Sequence, residues 1–570
     1  MKNSEVAKVL YDIADLLEIE GVGFKPRAYR KAARTVETLS EEVAEVFGRG
    51  DLEDLPGVGS SIAEKMAELI ETGRLGYYEE LKKEVPIGLT EVMEVEGIGP
   101  KSALRLYKEL GIVSLDDLEE AAKKGLIRKV AGFGQRTESQ LLEEIEFARR
   151  KGERHLLGFS LPMAQTIVKR LEELGSVERV SLAGSVRRRT STIGDVDVLV
   201  VSSKSDDATR LFVSMREVEE VLVSGPTKTS VRLQDGLQVD LRIVGRESFG
   251  AALQYFTGSK QHNIHLRNLA IQRRLKLNEY GLFRKEDDSM VAGRDEAGIY
   301  RALGLKWIPP ELREDRGEVE ATSKEALPDL LPYDSIRGDL QVHTKWSDGN
   351  HTIEEMAEAA QARGYEYLAI TDHTATLTIA RGLDEGRMRK QGIEIDRLNR
   401  DIEDFALLKG AEVNLRRDGT PDVRSEVLAD LDVVVGSVHS GLRISKEDMT
   451  KRIVAAMHNE HIDIIAHPTG RRLGERRGYD VEIGKLIEAS KETRTALEIN
   501  ASPKRLDLED VHVRRAVEGG VGLVISTDAH SVDQLRYMEL GVATARRGWA
   551  TADDVANTLA WEDLRVGLKA

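Results

Sequence analysis

From Arg337 onward the chain repeats one device, and no other feature limits its fold so tightly. An apolar run of β character ends on a side chain able to bind metal, and a helical stretch follows. The runs end as DLQVHTKWSDG (His343, Asp348), YLAITDH (Asp372, His373), LLKGAEVN (Glu412), DVVVGSVH (His439), DIIAHP (His467), TALEIN (Asn500) and GLVISTDAH (Asp528, His530). Strands alternating with helices make a parallel sheet, and seven such units predict a closed barrel. Barrel sites form at the carboxyl ends of the strands, where these side chains fall. Five of the twelve histidines stand there, with carboxylates at equivalent positions, which speaks against scattered structural histidines. Mixed imidazole and carboxylate donors suit Zn²⁺, Mn²⁺ or Fe²⁺ better than Mg²⁺ alone. Several such ions would activate a water and clamp the oxygens around a phosphorus.

A second constellation lies at Leu182 to Val201, LAGSVRRRTSTIGDVDVLVV. Residues two apart in a strand share a face, so Asp195 and Asp197 aim side by side. They stand next to a turn whose Gly184 and Ser185 can offer backbone N–H groups. Adjacent carboxylates repel, and a divalent cation is the usual reason to pair them. In LQVDLRIV, Leu237, Val239, Leu241 and Ile243 form one face and Gln238, Asp240 and Arg242 the other. Asp240 on a neighbouring strand completes a triad able to hold two metals. A glycine turn and arginine beside such carboxylates suit a nucleoside triphosphate with its Mg²⁺.

Residues 1–90 read as helices. Val22 to Lys31 is a basic loop entering a helix, with Lys25 among its charges and Tyr29 interleaved, a pattern suited to phosphate neutralisation and base stacking. Leu55-Pro56-Gly57-Val58-Gly59-Ser60 recurs as Val95-Glu96-Gly97-Ile98-Gly99-Pro100, each before an amphipathic helix. Gly57, Gly59, Gly97 and Gly99 let the backbone approach an anionic oxygen at a helix start, as in helix-hairpin-helix DNA binding. Ala131-Gly132-Phe133-Gly134-Gln135 is a weaker third copy. Lys65 lies one turn into the helix after the first motif, beside Ile62 and Met66. There it is either a solvated charge or an amine nucleophile. Further on, Tyr255-Phe256-Thr257-Gly258 precedes Asn263 and Arg267, a plausible platform for base and sugar. The net charge of −16 argues against nucleic acid in bulk, but Lys260–Lys285 carries seven Lys or Arg against one Glu. The absence of cysteine excludes thiolate chemistry and suits a reducing cytoplasm. No run is long enough for a membrane span.

Together these strings carry a resemblance. FKPRAYRKAA, DLPGVGSSIAEKM, VEGIGPKSA, AGSVRRR…GDVDVLV, QVDLRI and YFTGSKQHN…NEYGLF resemble a family X, polymerase-beta-like DNA polymerase over residues 1 to about 310. The resemblance implies a multidomain α+β and α/β chain. A lyase-like helical DNA-binding domain would cover 1–85, a fingers-like helix-hairpin-helix domain 86–155 and a nucleotidyltransferase palm 156–245. A thumb-like domain would cover 246–312. It also implies that Asp195, Asp197 and Asp240 hold two Mg²⁺ ions and that Ser185, Arg188 and Gly194, with the Gly184 turn, hold the triphosphate. Tyr255, Phe256 and Gly258 would line the sugar, Asn263 the base and Arg267 the template. Lys65 falls where the family places its Schiff-base lysine. Ser61 and Lys260 depart from the family pattern. Charged, proline-containing 313–336 reads as a linker.

Residues 337–570 resemble a polymerase and histidinol phosphatase (PHP) domain, a (β/α)7 barrel holding up to three ions, Mn²⁺ or Zn²⁺. Such domains often open with H-x-H, and here the first position is Gln341, a weak ligand. The ligand set implied is Gln341, His343, Asp348, His373, Glu412, His439, His467, Asp528 and His530. In this order of domains the resemblance implies a gap-filling repair polymerase with 3′–5′ exonuclease and abasic-site endonuclease activities. It would act as a cytoplasmic, nucleoid-associated monomer on gapped or primer-template DNA and dNTPs. The competing reading is a DNA-binding metal-dependent hydrolase with a vestigial polymerase half.

Overall fold

The computed structural model of the protein describes residues 3–569, apart from 24, 38, 40, 41, 87, 94, 96, 97, 135–137, 139, 140, 142–144, 146–153 and 477. It divides into two compact units, Met1–Arg154 and His155–Ala570. Among the described residues no helix is long and apolar enough to cross a membrane.

The first unit is helical. In Asn3–Ile19 the residues Val6, Leu10, Ile13 and Leu17 recur at helical spacing. They are buried with Ala33 and Val36 of Lys25–Glu37, Met66 and Leu69 of Ser60–Thr72, and Leu106 of Pro100–Leu110. Lys25 is exposed, as a phosphate contact requires, but Tyr29 is only 5 % exposed. Its ring lies nearly parallel to Tyr77, centroids 6.4 Å apart. The expectation that Tyr29 stacks on DNA is therefore corrected: it is a core residue, and burial pushes its hydroxyl pKa up to about 12.

The second unit opens with a five-stranded sheet: β1 (Val177–Leu182), β2 (Asp195–Ser202), β3 (Val218–Ser224), β4 (Lys228–Leu233) and β5 (Gln238–Ile243). The order is β1-β2-β5-β4-β3, with only the β2–β5 pair parallel. Val196, Val198 and Val200 of β2 and Val239 and Leu241 of β5 pack on Leu161, Ala164, Ile167 and Leu171 of the helix Leu157–Glu172. The strand period of two then turns Asp195, Asp197 and Asp240 to the opposite face. Further along, that face is covered where Leu199 and Val201 meet Phe249 and Ala252 of the helix Phe249–Thr257. A three-stranded antiparallel sheet follows: β6 (Leu275–Asn278), β7 (Gly281–Arg284) and β8 (Met290–Ala292).

Seven parallel strands then run in sequence order: β9 (Gly338–Val342), β10 (Tyr367–Ile370), β11 (Ala406–Asn414), β12 (Val433–Ser437), β13 (Ile464–Ile465), β14 (Ala496–Asn500) and β15 (Leu523–Ser526). They are buried on both faces, which is why each reads as a continuous apolar run. His343 N–H donates to Ala529 O at 2.9 Å and Asp528 N–H to Gln341 O at 3.1 Å, so the last strand returns beside the first and nearly closes the barrel.

The stretch read as a linker is a packed seam. A turn at Pro310–Leu312 leads into it, and it forms a helix at Glu318–Ser323. Arg313 and Glu318 are fully buried, paired with Glu296 and His262. Leu331 N–H donates to Ala550 O at 2.9 Å. Charged residues read as solvated because their partners are distant in sequence. Apolar contacts join the same parts. Leu506 and Leu540 of the barrel half lie in the core of the five-stranded sheet, and Trp549 lies in the core beside β6–β8.

Candidate functional site

Parallel register sets Asp197 directly beside Asp240 and Asp195 beside Gln238. Gly184 adopts φ +67°, and a Cβ there would stand 3.0 Å from Asp197 Oδ2, so the turn approaches the carboxylates as closely as only glycine permits. Arg242 Nε donates to Asp197 Oδ1 at 3.1 Å, and Lys228 Nζ lies 2.7 Å from Asp240 Oδ2. Gln238 Nε2 donates to Asp240 Oδ1 at 2.9 Å. Burial, then the neighbouring Asp195, pushes Asp197 up to about 6, against the pull of Arg242. Asp240 is held below the usual carboxylate range: burial opposes this, but its bonds to Lys228 and Gln238 prevail. Crowded, desolvated carboxylates of this kind fit hard divalent cations, which favour the ionised form of every member.

The other residues singled out in this half take several roles. Gly184–Arg187 forms one short helical turn containing Ser185. Arg188 is largely buried and donates to Glu314 Oε1 at 2.9 Å and to Thr257 O at 2.8 Å. A Cβ at Gly194 would meet nothing within 4 Å, so no protein neighbour demands that glycine. Phe256 lies 4.2 Å beneath the Arg242 guanidinium and edge-on to Tyr255, which joins the platform to the carboxylates. A Cβ at Gly258 would fall 2.6 Å from Asn263 Oδ1. Asn263 Nδ2 donates to Tyr255 O at 2.6 Å and Gly258 O at 3.1 Å, while its Oδ1 accepts from Gln254 at 2.8 Å. Its amide thus holds the Tyr255–Gly258 turn. Arg267 is exposed one turn further on.

The barrel mouth gathers the strand-end residues. His343 Nε2 lies 3.2 Å from Asp528 Oδ1 and 3.5 Å from Glu412 Oε2. His373 Nδ1 lies 2.8 Å from Glu412 Oε2, and His439 and His467 approach Glu412 Oε1 at 3.3 and 3.4 Å. His530 Nε2 lies 3.5 Å from Asp348 Oδ1. Among the described residues, three groups of donors lie within 4.8 Å of one another, and all are here: His343, Asp348, His373 and His530; His373, Glu412 and His439; His343, Glu412 and Asp528. Burial works against charge throughout. Even so, His373 and His439 hold Glu412 well below its usual range, His530 holds Asp348 at about 2, and Asp348 raises His530 to about 9. Nδ1 of His343 and Nδ1 of His467 are buried without a hydrogen bond. Buried polar atoms without partners are costly, and imidazole with carboxylate donors is a divalent-metal set, so these residues fit such ions.

Gln341 is fully buried, with neither amide atom hydrogen-bonded, two residues before His343 on the same face. Asp372 serves a different purpose from its strand-end neighbours. It accepts from Thr344 N–H at 2.8 Å and from Ser347 Oγ at 2.5 Å, bracing the loop that carries Asp348. Asn500 donates to Asp528 Oδ2 at 3.2 Å and Asn414 accepts from His439 at 2.7 Å, each orienting a donor. Glu498 was missed by sequence reasoning. It is fully buried, its pKa is raised by burial and by Asp528, and it accepts the His467 N–H at 2.6 Å. Its signal was present in the E-I-N alternation of β14, two residues before Asn500.

In the helical unit, Ile62 and Ala63 N–H groups donate to Gly59 O at 2.9 Å each, and Ser102 and Ala103 do the same to Gly99 O at 2.9 Å each. Gly57 adopts φ +88° and Gly132 φ +97°. Val58, Ile98 and Phe133 N–H groups each donate to the carbonyl three residues earlier, at 3.0, 3.0 and 3.1 Å, so the three copies share this hydrogen bond. Gly97 and Gln135 lie outside the described residues. Lys65 Nζ donates to Ser61 O and Oγ at 3.0 Å each and lies 5.2 Å from the Tyr77 ring centroid.

Comparison with known proteins follows this division. Residues 1–75 match a helix-hairpin-helix domain and 89–146 a SAM-like helix-hairpin-helix tandem. Residues 252–314 match the DNA polymerase beta thumb, and 339–502 a PHP domain. DNA polymerase lambda of Rattus norvegicus is 24% identical over 348 residues, 55% of this chain and 56% of its own. A probable phosphatase of Thermoanaerobacter sp. (strain X514) is 30% identical over 233 residues, 38% of this chain and 90% of its own. The DNA polymerase/3′-5′ exonuclease PolX of Bacillus subtilis (strain 168) is 39% identical over 572 residues, all of both chains. An identity that runs through both halves without a gap in coverage settles the kinship: the chain belongs to the bacterial PolX group of family X DNA polymerases with a C-terminal PHP domain.

Proposed function

We propose that this chain is a DNA-directed DNA polymerase that fills short gaps during repair, with a 3′–5′ exonuclease in its barrel. The observation that carries this reading is the coexistence, in one chain, of the Asp195, Asp197 and Asp240 face beside the Gly184 turn and the His/Asp/Glu set at the barrel mouth. Divalent cations, when bound, would lower the pKa of the primer hydroxyl and offset charge at phosphorus in the palm, and activate a water in the barrel.

The chain's own residues do the rest. Asp195, Asp197 and Asp240 would hold two Mg²⁺. The Gly184–Ser185 turn and Arg188 bind the triphosphate, with Phe256 and Tyr255 beneath the sugar. Asp240, kept ionised by Lys228 and Gln238, accepts the proton of the primer 3′-hydroxyl. The 3′-oxygen to α-phosphorus bond forms, the α–β bridging bond breaks and pyrophosphate leaves. In the barrel, His343, Asp348, His373, Glu412, His439, His467, Asp528 and His530 would hold Mn²⁺ or Zn²⁺ and position the terminal phosphodiester. The helix-hairpin-helix turns grip the DNA backbone through their N–H groups. We take the protein to act as a monomer, in the cytoplasm where the nucleoid lies. Filling of a one-nucleotide gap tests the polymerase reading. Asp240→Asn is expected to lower the rate by at least about a thousand-fold at unchanged DNA affinity. A variant within a few-fold of wild type would reject it.

A further inference from the structure

Three consecutive arginines leave the Gly184 turn in three directions. Arg187 forks onto Glu296, both bonds at 2.8 Å, where buried Arg313 also pairs. Arg189 meets Glu539 at 2.8 Å, on the barrel-half helix Met538–Arg547. Arg188 donates to Glu314 at 2.9 Å. Glu314 is shared: Arg547, the last residue of that helix, lies 3.0 Å from the same carboxylate oxygen. The Arg547 guanidinium also donates to the backbone carbonyl of Arg188 at 2.8 Å and pairs with Asp510 at 2.6 Å. Asp510 in turn pairs with Arg316 at 3.0 Å. A chain of alternating charge, Arg188–Glu314–Arg547–Asp510–Arg316, thus runs from the nucleotide turn into the barrel half, and Arg547 is only 8 % exposed within it.

Two physical consequences follow. A buried carboxylate beside Arg188 alone would cancel the charge that Arg188 must present to an anion. Arg547 neutralises Glu314 from the other side, so Glu314 can orient the Arg188 guanidinium without quenching it. The bond from Arg547 to the Arg188 carbonyl also fixes the backbone of the turn itself.

We propose that Arg547, on the barrel side of the molecule, is a positioning residue of the polymerase site, holding Arg188 in place and in charge for a nucleoside triphosphate. The proposal rests on the reading of Arg188 as a triphosphate ligand. It makes the barrel half a structural part of nucleotide binding, independent of any chemistry at the barrel mouth.

The test uses the full chain, one-nucleotide-gapped DNA, the correctly paired dNTP and Mg²⁺, with kcat and the KM for dNTP measured separately. Arg547→Ala is expected to raise that KM about ten-fold or more while kcat moves only a few-fold. Adding Glu314→Gln to Arg547→Ala removes the carboxylate left unneutralised and should recover several-fold of the loss. Arg547→Gln, which keeps a hydrogen-bonding head of moderate size, is read instead if the alanine variant lacks a cooperative melt. An unchanged KM with a lowered melting temperature, or no recovery in the double variant, would overturn the proposal and leave Arg547 a support of the fold. Arg188→Ala separates the two levels. If it leaves the KM unchanged, the triphosphate reading itself fails. If it raises the KM while Arg547→Ala does not, only the role of Arg547 fails.

Discussion

Single residues decide which donors each site offers. Gln341 occupies a fully buried position on the face that carries His343, with both amide atoms unpaired, and a neutral amide is a weaker metal ligand than an imidazole. Gln341→His should therefore raise the metal retained after dialysis against Mn²⁺ by about one ion per chain, read by elemental analysis. Unchanged stoichiometry would show that the position does not face an ion. Glu296 gives a prediction about pH. Burial opposes its ionisation, but Arg313 and Arg187 prevail and lower it from 4.5 to about 2. A depressed carboxylate stabilises the fold fully above its unfolded pKa and loses that contribution as pH falls from about 4.5 towards about 2, about 3 kcal/mol in all. Glu296→Gln should be less stable than wild type at pH 7, with the difference shrinking below pH 4.5 in denaturant titrations. Parallel curves would contradict the assigned pairing. At this scale much of the site was legible: D-x-D, V-D-L-R and the strand-end histidines follow from a period of two and from donor chemistry. Tyr29 was not, because a lone aromatic in a basic helix looks the same whether it faces DNA or Tyr77. Glu498 hid one alternation before the more conspicuous Asn500.

Elements were legible where a single period governed them. The seven barrel strands appear as apolar runs because both faces are buried, and the paired hairpin turns appear because glycine spacing repeats before matched helices. The segment 313–336 reads as a linker because its charges are neutralised by partners about two hundred positions away, such as Asp510 for Arg316 and Arg547 for Glu314. No local pattern announces such pairs. The helix Leu157–Glu172 shows the same dependence on distant sequence. A Cβ at Gly158 would lie 2.6 Å from Leu540 Cδ1 and 2.7 Å from Pro503 Cβ. Gly158→Ala should destabilise the second unit by about 1–3 kcal/mol through overpacking, offset in part by better helix propensity. A melting temperature at or above that of wild type would show that the contact relaxes freely.

The second unit carries two sets of chemical groups in one compact body, joined by apolar packing at Leu540 and Trp549 and by the buried ion pair of Arg547 with Glu314. The shared core welds the halves mechanically, but the donors at β2 and β5 are distinct residues from those at the barrel mouth. Each chemistry should therefore be removable alone. The direct measurement follows a 5′-labelled primer on one-nucleotide-gapped DNA, with Mg²⁺ or Mn²⁺, with and without dNTPs, for wild type, Asp197→Ala and His373→Ala. Extension should be lost only in Asp197→Ala and primer shortening only in His373→Ala. Loss of both activities in either variant, or shortening that survives His373→Ala, would contradict two separate sites.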